Sequence, residues 1–229
     1  MFPRVSRTVT ESSQVAEKKF IVKDLKLKLD KDKCISCGTC IHACPNNVIR
    51  AGSVGSGQAV MIDPETCSYC GTCQYMCPAH ALSLVVDDVP VKDEDLLLVQ
   101  KRALPELLGD EVACENKNGI PAKHYMDGNL KYSQDKCSTG CRTCVVTCPT
   151  NALFFTHGKA WERGEMLEFD ETKCIYCGAC AYVCPVSSIE IERTEVHHGD
   201  EFSSPFWPNL ENRLLNFKNA VKTESGKMA

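Results

Sequence analysis

Four runs of cysteine constrain this chain more than anything else in it. Three read C-x2-C-x2-C-x3-C-P: Cys34/Cys37/Cys40/Cys44-Pro45, Cys67/Cys70/Cys73/Cys77-Pro78 and Cys174/Cys177/Cys180/Cys184-Pro185. The fourth, Cys137/Cys141/Cys144/Cys148-Pro149, carries one extra residue between its first two cysteines. The runs use 16 of the 17 cysteines in 229 residues, and Cys114 is left over. Hydrophobic residues make up 43%, but that figure includes the cysteines, and the remainder is thin for one large core. Something besides hydrocarbon must help to hold the fold. An odd cysteine count does not suit a fully paired disulfide framework. The start, Met1-Phe2-Pro3-Arg4-Val5-Ser6-Arg7, lacks the apolar stretch and cleavage site of a secretory signal, and no apolar run is long enough for a transmembrane helix. The expectation is a cytoplasmic chain, where clustered thiols point to metal or redox chemistry.

The runs sit inside a fourfold repeat. A short strand-like stretch and a polar turn precede each first cysteine, as in Lys28-Leu29-Asp30-Lys31-Asp32-Lys33-Cys34 and Glu168-Phe169-Asp170-Glu171-Thr172-Lys173-Cys174. A brief apolar stretch follows each Cys-Pro, such as Ala81-Leu82-Ser83-Leu84-Val85-Val86 and Ser188-Ile189-Glu190-Ile191, which suits short strands. First cysteines at 34 and 67, then at 137 and 174, group the runs in two pairs. The expected organisation is an N-terminal arm over 1–24, a first module over 25–89, a connector over 90–129, a second module over 130–195 and a docking tail over 196–229. The glycine- and serine-rich residues 52–57 look like a hairpin tip inside the first module.

Two-residue spacers let one tight loop present three thiolates to the corners of an Fe4S4 cube, while the fourth lies beyond a helical turn that proline ends. Zinc also takes four thiolates, but usually from two separated knuckles. Colour and metal analysis separate the two. The spacing is that of the bacterial ferredoxins, and each pair of runs resembles a bacterial-type 2[4Fe–4S] ferredoxin, the whole a polyferredoxin. The resemblance implies an α+β fold: two small pseudo-twofold βαββαβ modules joined by a partly helical connector, with N- and C-terminal extensions. It also implies four [4Fe–4S] clusters with crossed ligation. Its ligand sets are Cys34, Cys37, Cys40 with Cys77, and Cys67, Cys70, Cys73 with Cys44. In the second module they are Cys137, Cys141, Cys144 with Cys184, and Cys174, Cys177, Cys180 with Cys148. Val89-Pro90-Val91-Lys92-Asp93, Leu104-Pro105 and Arg163-Gly164-Glu165 leading into Cys174 are similar to the polyferredoxin subunit of archaeal formylmethanofuran dehydrogenase. That family carries about twice as many motifs, so the chain resembles half of such a subunit.

No second chemistry is written in the chain. A G-x-G-x-x-G, a P-loop and an H-E-x-x-H are all missing, so no catalytic site is read. No basic block suggests nucleic acid. The formal charge is −4, and four oxidised clusters with their thiolates would bring it to about −12. Lys33, Lys136 and Lys173, each just before a first cysteine, either offset this charge or are solvated turn lysines. Arg142 stands where Gly38, Gly71 and Gly178 follow the second cysteine, and Gly140 precedes Cys141 instead. This suggests that the tight turn shifts by one step. Arg142 then either raises the potential of its cluster or points to solvent or stacks on a neighbour. His197-His198 shows no nearby ligand in the sequence and is taken as exposed rather than metal-binding, and Cys114 as an ordinary thiol. Asp93–Leu104 is expected to be a helix, with acids leading and bases closing it. In the tail, Leu210, Leu214, Phe217 and Val221 form a stripe that either packs on the chain or docks a partner, while the polar first 20 residues suggest disorder or a docking arm.

The functional expectation is conduction: a subunit that relays single low-potential electrons between donor and acceptor proteins inside a redox complex. The resemblance points to a tungsten- or molybdenum-pterin enzyme reducing CO2 in methanogenesis. A free polyferredoxin shuttle, or the iron–sulfur subunit of another molybdopterin oxidoreductase or hydrogenase, is the alternative.

Overall fold

In the computed structural model, residues 3–52, 59–137, 140–156 and 167–216 are described. The chain divides into two compact units, Met1–Leu107 with His198–Leu214, and Leu108–His197. The hairpin tip expected at 52–57 and the Arg163-Gly164-Glu165 segment fall almost wholly outside the described residues, as do Phe217 and Val221.

The first unit opens with β1 (Arg4–Val9), β2 (Ser13–Lys19) and β3 (Asp24–Asp30), then α1 (Thr39–Ala43), β4 (Ile49–Ala51), β5 (Val60–Ile62), α2 (Thr72–Tyr75), β6 (Leu82–Val86) and β7 (Val89–Pro90). Strands β1-β2-β3-β6-β7 form one antiparallel sheet in that order, and β4 pairs with β5 apart from it. In β3 leucines alternate with lysines, so Leu27 and Leu29 turn inward opposite Leu84 and Leu82 of β6. The helices are single turns, too short to stand alone, and they depend on the loops that they close.

Three expectations about the flanking segments need correction. The N-terminal arm is neither disordered nor detached: β1 and β2 extend the sheet of the first module. Gln14 on β2 is fully buried and acts as a clasp, its Nε2 donating to Val60 O at 2.8 Å and its Oε1 accepting from Ile62 N at 3.0 Å. A buried amide with both ends satisfied costs little, so a polar segment can pack. The helix expected over Asp93–Leu104 is broken. A 3-10 turn, Asp93–Asp95, precedes α3 (Leu97–Gln100), with Leu96 extended between them and Arg102 at φ 53 after them. Leu96 is buried in the core of the unit, against Gly71, where any Cβ would overlap it. That tertiary anchor overrides helix propensity. The rest of the connector is no linker either: β8 (Asp110–Cys114) and β9 (Ile120–His124) make a hairpin of the second unit.

That unit continues with β10 (Met126–Tyr132), α4 (Thr143–Thr147), β11 (Leu153–Phe155), β12 (Leu167–Phe169), α5 (Ala179–Val183) and β13 (Ile189–Val196). β10 pairs with β13 and β11 with β12, both antiparallel, and a bulge interrupts β10 between Asp127 and Gly128. The tail then supplies α6 (Phe206–Leu215), which belongs to the first unit and buries Trp207, Leu210 and Leu214 along one stripe. Over these residues the tail packs on its own chain. Arg213 Nη2 donates to Cys44 O at 2.7 Å and to Asn47 Oδ1 at 2.6 Å.

Candidate iron–sulfur centres

The four cysteine loops share a backbone routine. In the three regular runs the residue before the second cysteine and the glycine after it both have positive φ: Ser36 and Gly38, Tyr69 and Gly71, Tyr176 and Gly178. Two left-handed residues flanking one cysteine curl the loop, and the glycine becomes the N-cap of α1, α2 or α5. The third cysteine then rides on the helix and the fourth follows it. Three residues later Asn47, His80, Asn151 and Ser187 again have positive φ, turning the chain into the next strand. In the irregular run Gly140 takes the positive φ before the second cysteine, and Arg142 has φ −120 as N-cap of α4. The insertion moves the glycine to the left-handed position that Ser36, Tyr69 and Tyr176 fill elsewhere.

A carboxylate sets up each regular loop. Asp30 Oδ1 accepts from Asp32 N and Lys33 N, Asp63 from Glu65 N and the Thr66 hydroxyl, and Asp170 from Thr172 N and its hydroxyl. These Asx turns stand four residues before Cys34, Cys67 and Cys174, and Ser133 holds that place before Cys137. The threonine hydroxyls hold the Asp63 and Asp170 carboxyls below the ordinary carboxylate range.

The surroundings of the thiols show which loops meet. Burial pushes the Cys40 thiol far up, and Cys37, Cys77, Cys73 and Cys34 add to the shift as charged neighbours. Burial raises Cys73 likewise, with Cys70, Cys67 and Cys44 next. Cys77 is raised to about 12, first by burial and then by Cys37. In the second unit burial raises Cys144 to about 11, with Cys137, Cys141 and Cys184 beside it. Burial also takes Cys180 to about 12, with Cys174 and Cys148 adjoining. The fourth cysteine of each run therefore faces thiols of the other run in its unit. Cys44, Cys67, Cys70 and Cys73 line one pocket, walled by Leu27, Val48 and Ile49.

The donor chemistry fits an iron–sulfur cluster. Thiols this buried do not ionise unless cationic charge joins them, which is what iron supplies. Backbone N–H groups already aim at sulfur: Tyr69 N at Cys67 Sγ (3.4 Å), Tyr176 N at Cys174 Sγ (3.3 Å), Ala81 N at Cys77 Sγ (3.2 Å) and Ser188 N at Cys184 Sγ (3.2 Å). At Cys184 burial works to raise the thiol, but the Ser188 hydroxyl and N–H overcome it and lower the pKa.

Residues 33–81 and 128–188 match the family of the 4Fe-4S dicluster domain. Each matched segment holds one pair of the cysteine runs. One component of an ion-translocating oxidoreductase complex from Methanosarcina acetivorans is 38% identical over 52 residues, 23% of this chain and 17% of that protein. Pyruvate synthase subunit PorD of Methanothermobacter marburgensis is 39% identical over 60 residues, 26% of this chain and 60% of that one. The chain thus spans less than two thirds of either relative. In three dimensions it is similar to a chain of the formate dehydrogenase–heterodisulfide reductase–formylmethanofuran dehydrogenase complex from Methanospirillum hungatei. The TM-score is 0.76 at 22% identity, over 94% of this chain and 92% of that one, which is a likeness of fold.

Around the cysteine loops the structure places cations that no sequence motif marks. Arg193 on β13 is only 3% exposed, its Nε donating to Tyr176 O at 2.9 Å and its Nη2 to Cys177 O at 2.8 Å. Its signal was readable, since a charge follows Ile189 and Ile191 at the inward positions of an alternating strand. In the first unit Lys18 Nζ donates to Glu65 O (2.8 Å) and Cys67 O (3.4 Å) and lies 5.9 Å over the Tyr69 ring. No local pattern ties residue 18 to residue 67. The lysines singled out from sequence contribute less: Lys33 and Lys136 are exposed, and Lys173 sits 3.7 Å from Glu115. Arg142 is half-buried with its guanidinium 5.6 Å over the Phe155 ring, which is the stacked alternative. Cys114 is buried at the end of β8.

Proposed function

We propose that this chain conducts single low-potential electrons through four [4Fe–4S] clusters, as a subunit of a larger redox complex. The observation that carries the reading is the meeting of each fourth cysteine with the opposite loop, which supports crossed ligand sets within pseudo-twofold modules. The sets are Cys34, Cys37, Cys40 with Cys77; Cys67, Cys70, Cys73 with Cys44; Cys137, Cys141, Cys144 with Cys184; and Cys174, Cys177, Cys180 with Cys148. A bound cluster accepts and releases one electron with little change of shape. The chain's own part is to hold the sulfurs rigid, wall them with apolar side chains and direct backbone N–H groups at them, which favours the reduced, more negative state. The partner enzyme is of the formylmethanofuran dehydrogenase type, a tungsten- or molybdenum-pterin enzyme that reduces CO2. Support for this comes from the motif resemblance and from the likeness of fold to a chain of a complex that contains such an enzyme.

The test is iron and acid-labile sulfide analysis with EPR on the anaerobically isolated chain and its Cys44→Ala variant. Wild type should hold about 16 irons and the variant about four fewer. The lost EPR signal should belong to the loop of Cys67, Cys70 and Cys73. Loss from the Cys34 loop instead would refute the crossing, and zinc in place of iron would remove the electron-transfer reading altogether. Co-purification of the native chain identifies the partner.

A further inference from the structure

One group of ligating side chains lies outside the cysteine loops, where β10 pairs with β13. Asp127 and Glu195 are partners across this ladder, two carboxylates directly opposed. Like charges so placed repel each other unless a cation joins them. His197 follows Glu195 by two residues and brings its ring to both, with Nε2 2.9 Å from Asp127 Oδ2 and Nδ1 3.9 Å from Glu195 Oε1. One donor atom from each of the three lies within 4.8 Å of the others. His124, at the end of β9, borders the group, its Nε2 donating to Met126 O at 2.9 Å and lying 3.6 Å from Asp127 Oδ1.

The frame under these groups is firm. His197 N donates to Tyr125 O at 2.8 Å, and its carbonyl accepts from Leu108 N at 2.9 Å. The bulge between Asp127 and Gly128 lets residue 127 aim its carboxylate toward the histidines. Gly128 itself packs against the Tyr176 ring, where a Cβ would come within 2.9 Å of Cδ1. Mixed carboxylate and imidazole donors suit borderline transition metals, and three protein donors leave a position for water.

We propose that Asp127, Glu195 and His197 bind one divalent transition-metal cation of the zinc class. This is independent of the cysteine sites and of the electron-transfer reading. The experiment is calorimetric titration with Zn2+ alone of the anaerobic, tag-free, cluster-loaded chain, while cluster absorbance is followed. The expected result is one zinc bound per chain with absorbance unchanged. His197→Ala and the near-isosteric Asp127→Asn should each weaken it by at least about 10-fold, the scale on which even supporting residues of metal sites count. Retained cluster absorbance in the variants shows that they fold. No zinc uptake, uptake equally tight in both variants, or uptake only as cluster absorbance falls would each overturn the proposal.

Discussion

Arg193 and Arg142 carry the same charge in opposite settings. Arg193 is buried and fastened to the carbonyls of Tyr176 and Cys177, inside the loop that presents Cys174, Cys177 and Cys180. Arg142 is half-buried and stacked on Phe155. A unit charge about 8 Å from a redox centre, at an effective dielectric near 20, is worth about 2 kcal/mol, or about 90 mV for one electron. Water screens the more exposed charge and reduces its share to a few tens of millivolts. Positive charge favours the reduced state. A redox titration followed by EPR should therefore show Arg193→Met lowering the potential of the Cys174-loop cluster by more than Arg142→Ala lowers that of the Cys137-loop cluster. Equal shifts, or a rise in either variant, would mean that burial does not set the effect.

Helix α6 shows how an element acquires a role from what it covers. Trp207 is fully buried, and its Nε1–H donates to His198 Nε2 at 3.2 Å, while His198 Nδ1 donates to Gly199 O at 2.8 Å. At the other end Arg213 grips the carbonyl of Cys44, a residue of the cysteine loops. Replacing Trp207 by Ala removes the largest apolar anchor and should cost the first unit about 3–5 kcal/mol. In urea, signals from the Cys34 and Cys67 loops should then disappear at lower concentration than in wild type, with those of the Cys137 and Cys174 loops unmoved. Loss of all four together would place α6 outside the first unit. The turns were more legible than the helices. Glycine after the second cysteine and Asp four residues before the first are local signals, written within ten residues of where they act. The failure at Asp93–Leu104 came from Leu96, whose burial against Gly71 depends on a residue 25 positions away.

At the scale of the molecule, the four proposed clusters with their thiolates would make the loaded chain strongly negative, about −12 from the formal −4. Association with a basic docking surface should be fast at low ionic strength and slow as salt rises; stopped-flow mixing with the isolated partner measures it. A rate flat in salt would exclude electrostatic steering. None of the described helices is long and apolar enough to cross a membrane. The amino-acid sequence by itself determined the four cysteine loops, their grouping in pairs and the shift of glycine in the Cys137 loop. Spacing along the backbone and the φ angles open to glycine are properties of adjacent residues. Only the tertiary structure decided that the N-terminal residues become strands of the first sheet, that α6 returns to the first unit, and that Lys18 reaches the loop of Cys67. It also decided that Glu195 and His197, two residues apart in the sequence, meet Asp127 across the pair of β10 and β13. Those contacts join residues far apart in the chain, and they form because burial and strand pairing bring them together, which no local pattern records.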